Sequence, residues 1–158
     1  MLGRKTVVLD CQWIQQLHTY GLLRASFRPP EDICSLRALA RHRDNLIRYR
    51  SAHIQHMQKS LQLMNVKLTQ VVSDITGVTG LSIIRAIVAG ERTPHELARL
   101  RQSGCKKSEE QIAKALQGVY KFEHVFVLKQ ALDQYDFYLQ QIRECDAQME
   151  AMYAALPP

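Results

Sequence analysis

No segment of the chain alternates apolar and polar residues with period two for long enough to build a sheet. No apolar run approaches the roughly 18 residues that a membrane-crossing helix needs, so no membrane partner is expected. The N-terminus from Met1 to Asp10 carries too short an apolar run for a signal peptide. Cys11, Cys34, Cys105 and Cys145 are widely scattered and form no CxxC pair. That usage points to thiols in a reducing compartment and to a cytoplasmic protein. There is no Walker pattern, no Glu-x-x-His and no legible Ser/His/Asp or Cys/His arrangement. Glycine and proline are missing between Pro30 and Gly77, and again from Val119 to Leu156. These two gaps organise the chain.

With 158 residues, 46% hydrophobic and 23% charged, the composition suits one folded domain with a moderate core. The formal net charge of +6 fits nucleic-acid binding without proving it.

The first gap holds a stripe spaced by three and four: Ile33, Leu36, Ala40, Ile47, Ile54, Met57, Leu61, Met64, Leu68, Val71. It predicts one helix from Pro30 to about Val71, with Arg43 and Arg50 breaking the seam. A helix of roughly 38 residues is about 57 Å long and needs a partner along its length. The second gap repeats the spacing at Val125, Leu128, Leu132, Tyr135, Leu139, Ile142, Met149, Tyr153 and Leu156, broken only by Asp146. An antiparallel register brings Leu36 to Tyr153, Ile47 to Ile142, Ile54 to Tyr135 and Leu61 to Leu128. It also places Arg43 opposite Asp146, a register pair that costs some stability and fixes the alignment. The expected fold is all-α: a long antiparallel helical hairpin, or coiled coil, over 30–158, with residues 70–118 as a small helical cap at its tip.

Shorter elements are expected around it. Val8, Cys11, Ile14 and Leu17 mark one face of a helix over 7–20, and Gly21 stops it. Residues 21–30 read as an extended linker, with Pro30 suited to the first turn of the next helix. Small helices are expected near 80–89, 94–101 and 108–117. Capping boxes at Thr93-Pro94-His95-Glu96 and Ser108-Glu109-Glu110-Gln111 would start the last two.

The charge is uneven. Seven arginines lie between Arg24 and Arg50 against Glu31, Asp32 and Asp44. Arg37, Arg41, Arg48 and Lys59 fall within about 40° of one another at 100° per residue, a basic stripe beside the apolar seam. Such a stripe suits a phosphate backbone, and arginine's planar fork suits phosphate oxygens. The alternative is a solvated face that keeps the helix soluble. His53 and His56 sit one turn apart, as metal ligands can, but no third ligand is evident. Gly77-Val78-Thr79-Gly80 is either a phosphate-facing turn or a plain connection between helices.

Several segments together resemble one family. Gly3-Arg4-Lys5-Thr6-Val7-Val8-Leu9-Asp10, followed by Trp13, is similar to the Lys-Thr-Asp-x-x-Asp segment of insertion-sequence transposases with a RuvC-like, four-acid (DEDD) nuclease domain. These are the bridge-RNA-guided recombinases. The resemblance continues through Tyr20 to Pro30, through Leu36-Arg37-Ala38-Leu39-Ala40-Arg41, and through Val72 to Gly80. It then covers Ala89-Gly90-Glu91-Arg92 and the final long helix.

The resemblance implies that residues 1–29 are the C-terminal remnant of the nuclease domain plus a linker, and that 30–158 are the coiled-coil region. It implies a transposase fragment of a mobile genetic element, acting in DNA transposition and recombination. DNA and a guide RNA are its implied partners, with a homodimer or an association with an intact transposase through the coiled coil. The intact family implies Mg²⁺. The family's paired aspartates stand three residues apart, but here Val7 holds the first position and Asp10 is an orphan acid. The strands carrying the other acids and the downstream serine domain have no counterpart in these residues, so the chain is expected to be catalytically incomplete, with no cofactor of its own. The other two readings are a nucleic-acid-binding helical module and a non-catalytic dimerisation or interaction protein.

Overall fold

The computed structural model describes residues 7–21 and 30–155. All its regular structure is helical, and no strand occurs among the described residues. The helices are α1 (Val7–Thr19), α2 (Glu31–Leu63), α3 (Leu68–Val71), α4 (Val78–Ala89), α5 (Pro94–Arg99), α6 (Glu109–Ala115) and α7 (Phe122–Ala154). The chain divides into two compact units, Met1–Cys34 and Ser35–Pro158. The expected linker at 21–30 falls largely, and Leu156 of the second stripe wholly, outside the described residues.

In the first unit, α1 ends at Thr19, and Gly21 takes the left-handed φ of 66° that a helix stop favours. Three residues of its proposed face can be placed: Cys11 and Ile14 are exposed and Leu17 is half-buried. Pro30 stands just before α2, where its carbonyl accepts from the Cys34 N–H. It is therefore the cap of that helix and not part of its first turn.

In the second unit, α2 is shorter than its apolar spacing suggests. It stops at Leu63 instead of running to about Val71. Asn65 adopts φ 56°, the Val66 N–H donates to the Leu61 carbonyl, and the Asn65 N–H donates to the Gln62 carbonyl. These bonds form a Schellman stop with asparagine in the position glycine usually holds. Asparagine tolerates that backbone better than other side-chain-bearing residues, so a gap without Gly or Pro still contained a stop. Leu68 and Val71 consequently belong to α3. Gly90 ends α4 in the same way at φ 112°, with the Glu91 N–H bonded to the Ala86 carbonyl.

Helices α2 and α7 are each 33 residues long. Their contacts pair early residues of one with late residues of the other. Arg43 meets Asp146, and the Cys145 Sγ lies 3.5 Å from the Leu39 carbonyl oxygen. The Tyr49 and Tyr138 rings approach to 5.8 Å. Met57 and Leu61 share a buried cluster with Leu128, Leu132 and Tyr135. A second, smaller cluster joins Leu46, Ile142 and Cys145, with Ile47 and Met149 packed against it. Tyr153 departs from the expected seam: it is 73% exposed.

Helices α3 to α6 carry much of the main core. Ile83, Ile84, Ile87, Leu97, Ile112 and Leu116 are fully buried there. Two chain approaches knit this region to the long helices: the Lys67 N–H donates to the Ala115 carbonyl and the Val119 N–H to the Met64 carbonyl, each at 2.8 Å. Gly118 permits the second. A Cβ on it would lie 2.4 Å from the Met64 carbonyl oxygen and 2.6 Å from a Val66 methyl. Ser108 begins α6 with a full capping box to Gln111. Thr93 does not begin α5 that way, because its side chain makes no cap bond. Glu96 turns to Arg99 at 2.7 Å, and the Glu91 carboxylate accepts the Thr93 N–H instead.

Candidate nucleic-acid interface

Arg37, Arg41, Arg48 and Lys59 are all exposed on α2. The buried residues of that helix are Leu46, Met57, Ser60 and Leu61. At 100° per residue the cationic stripe is centred about 165° from them. The stripe therefore occupies an exposed side of α2, away from those buried residues. From Arg37 to Lys59 it runs about 33 Å along the axis.

The charges on that face are almost unopposed. Within α2 the acids are Glu31, Asp32 and Asp44, and only Asp44 lies in the stripe's span. None of the ion pairs among the described residues involves Arg37, Arg41, Arg48 or Lys59. Arg48 donates to the neutral side-chain oxygen of Asn45. Elsewhere the arginines do find carboxylates. Arg85 makes a two-pronged bond to Asp136, 2.7 Å on each arm. Its guanidinium is held more firmly protonated by that hydrogen bond, against a smaller opposing effect of burial.

The two arginines in the seam are settled differently. Arg43 bonds Asp146 through Nε, and Nη2 reaches the second carboxylate oxygen at 3.5 Å. That hydrogen bond, followed by the charge of Asp146, raises the Arg43 pKa above its ordinary value. None of the ion pairs among the described residues involves Arg50; its guanidinium sits 5.9 Å from the centre of the Tyr135 ring, a cation–π contact from α2 to α7. Sequence reasoning left Arg50 without a partner. Tyr135 is one turn from the position opposite it, and that closeness is the signal that was available.

His53 is half-buried and stacks on Tyr138 at 5.5 Å, and its ring centre lies 5.8 Å from that of His56. Burial lowers the His53 pKa, and the neighbouring His56 lowers it further. The His53 and Tyr138 rings pack α2 against α7, and His56 is exposed. Asp10 is exposed on α1. Among the described residues no three His, Cys, Asp or Glu side chains gather into a metal-binding group. With Val7 in place of the family's first acid, these residues do not fit the Mg²⁺ site that the resemblance implies.

Gly77 and Gly80 have structural tasks. Gly77 caps α4, and its carbonyl accepts the Leu81 N–H at 2.9 Å. Gly80 is buried where an added Cβ would lie 2.3 Å from the Ile75 carbonyl oxygen. The Asp74 carboxylate already accepts the Thr76 N–H at 2.8 Å beside this turn, an unfavourable neighbour for a phosphate. Among the described residues no helix is long and apolar enough to cross a membrane. No protein-family model, no curated protein and no solved structure matches the chain.

Proposed function

We propose that the chain is the helical arm of an insertion-sequence transposase, a long antiparallel hairpin with a small helical cap, whose own activity is to bind nucleic acid along α2. The family assignment rests on the ordered segments from Gly3 to Arg92. The binding reading rests on one observation: four exposed cations share the outward face of α2, with Asp44 the only acid among them. Like charges held along one face repel one another, and a polyanion relieves that repulsion. Contacts of this kind go to phosphates and set position without reading sequence. On this reading α2 serves as a spacer and a grip.

The test is salt-dependent binding to duplex DNA and to RNA. Four phosphate contacts give a slope of log K against log salt of at least about −3.6 on B-form DNA. That slope corresponds to roughly a hundredfold loss between 50 and 200 mM salt. Replacing Arg41 and Arg48 by alanine should lower the slope by about 1.8. Salt-independent binding, or none to either nucleic acid, defeats the reading.

A second reading, self-association through α7, has its own support. Phe122 is 81% exposed and stacks on Phe126 at 6.1 Å, and Phe137 is exposed further along the same helix. Exposed aromatic residues grouped on one element are characteristic of protein contacts.

A further inference from the structure

The polar path on α2 does not end with Lys59. Past Leu63 the chain opens into two adjoining recesses. One, of about 590 Å³, lies between the end of α2 and α3 and is lined in part by Gln62, Asn65 and Lys67. The other, of about 460 Å³, shares Asn65, Lys67 and Gln70 with the first and adds Lys107 and Lys114. The three lysines come from separate places in the chain: the turn after α2, the loop before α6, and α6 itself. No carboxylate lines either recess. None of the ion pairs among the described residues involves these lysines. The acids of α6 are directed elsewhere in one case, since Glu109 faces Arg99 at 3.9 Å. An acid appears only in the next recess, where Asp74 joins the lining.

Three lysines line one recess whose lining holds no carboxylate, so the local charge has no counter-charge within it. The remaining lining is largely glutamine and asparagine, whose amides can donate to oxygens without adding charge. The backbone around the site is fixed by the hydrogen bond from the Lys67 N–H to the Ala115 carbonyl. We infer that these joined recesses are a phosphate-binding site at the cap, which extends the α2 stripe and takes successive phosphates of the same nucleic-acid strand. This inference rests on the binding reading given above and adds where the strand goes after Lys59.

The site makes a quantitative demand. Three added contacts bring the total to seven, and the full slope against salt to roughly −6 on B-form DNA. The experiment uses the whole chain and a duplex of about 30 base pairs, longer than the roughly 33 Å stripe at about 3.4 Å per step. Lys67, Lys107 and Lys114 are replaced together by alanine, and in a second variant Lys67 and Lys114 by glutamate. Lys129→Ala, whose side chain pairs with Asp133 on α7, is the control. The triple alanine variant should lower the slope by about 2.7, the glutamate variant should bind more weakly still, and the control should bind as the parent does. All four lysines are exposed, and an unchanged helical spectrum shows that the variants fold.

A slope that responds to Arg41 and Arg48 but not to the three lysines overturns the cap site alone. A parent protein that binds no nucleic acid overturns both. Pyrophosphate added as a probe separates the two phosphate sources. If it binds through Lys67 and Lys114 while these residues leave duplex binding unchanged, the recess takes free phosphates and the polymer assignment is overturned.

Discussion

Gly118→Ala tests whether the segment after α6 is fastened to the end of α2 as described. The added methyl would lie 2.4 Å from the Met64 carbonyl oxygen and 2.6 Å from a Val66 methyl. Neither position is tolerable, and the carbonyl is backbone, so the two strands of chain must separate. Separation stretches the 2.8 Å bond from the Val119 N–H to that same carbonyl. Met64 and Val66 are buried, so a carbonyl left without a donor costs about 1–3 kcal/mol. Forcing a methyl into a filled core adds about 1–3 kcal/mol. Some relaxation is shared between the two effects, and a net loss of about 2–4 kcal/mol is expected. For a chain of this size that lowers the melting temperature by roughly 5–15 °C.

The assay is thermal and urea unfolding followed by far-UV circular dichroism. Gly104→Ala is the internal control: its Cβ would meet nothing within 4 Å, and its backbone is not left-handed. That change should be neutral or stabilising by up to about 1 kcal/mol, through the unfolded chain. If Gly118→Ala unfolds within about 0.5 kcal/mol of the parent, the close approach at Met64 is wrong. The position of Lys67, three residues along, would then have to be reconsidered too.

Two further outcomes are expected. His53 has a folded-state pKa below its ordinary value, so the unfolded chain binds more protons; stability rises with pH through the region below about 6.5 and is lost as pH falls. Urea midpoints measured from pH 7 to pH 5 should therefore fall more for the parent than for His53→Asn, and equal falls would refute a depressed His53. If the Phe122 and Phe126 pair mediates self-association, sedimentation of the parent should show a concentration-dependent dimer that Phe122→Ser with Phe126→Ser abolishes; a parent that stays monomeric at high concentration removes that reading.

Much of the fold follows from local chemistry. The three-and-four spacing of Ile47, Leu61, Leu128 and Ile142 dictates long amphipathic helices, because only a helix brings those residues to one side. Ser108 and Gln111 start α6 by bonding each other's backbone, an event confined to four residues. The spacing also placed Arg43 across from Asp146, and those side chains meet. The cationic character of α2 was likewise legible in Arg37, Arg41, Arg48 and Lys59.

Where several partners compete, the sequence was a poor guide. Thr93 looked like a cap, but Glu91 took its amide and Arg99 took Glu96. Asn65 looked like one more polar residue in a helix. It forms a stop at φ 56°, and Val66 and Leu68 just beyond it are buried in the main core. The outward position of the basic stripe depends on which residues α7 and the cap actually cover. The meeting of Lys67, Lys107 and Lys114 depends on how α3 and α6 dock. Helix formation and its apolar spacing belong to the sequence, because they arise from neighbours three and four residues apart. The stop at Asn65 and the gathering of three distant lysines belong to the tertiary structure, because only packing decides which distant surfaces share one recess.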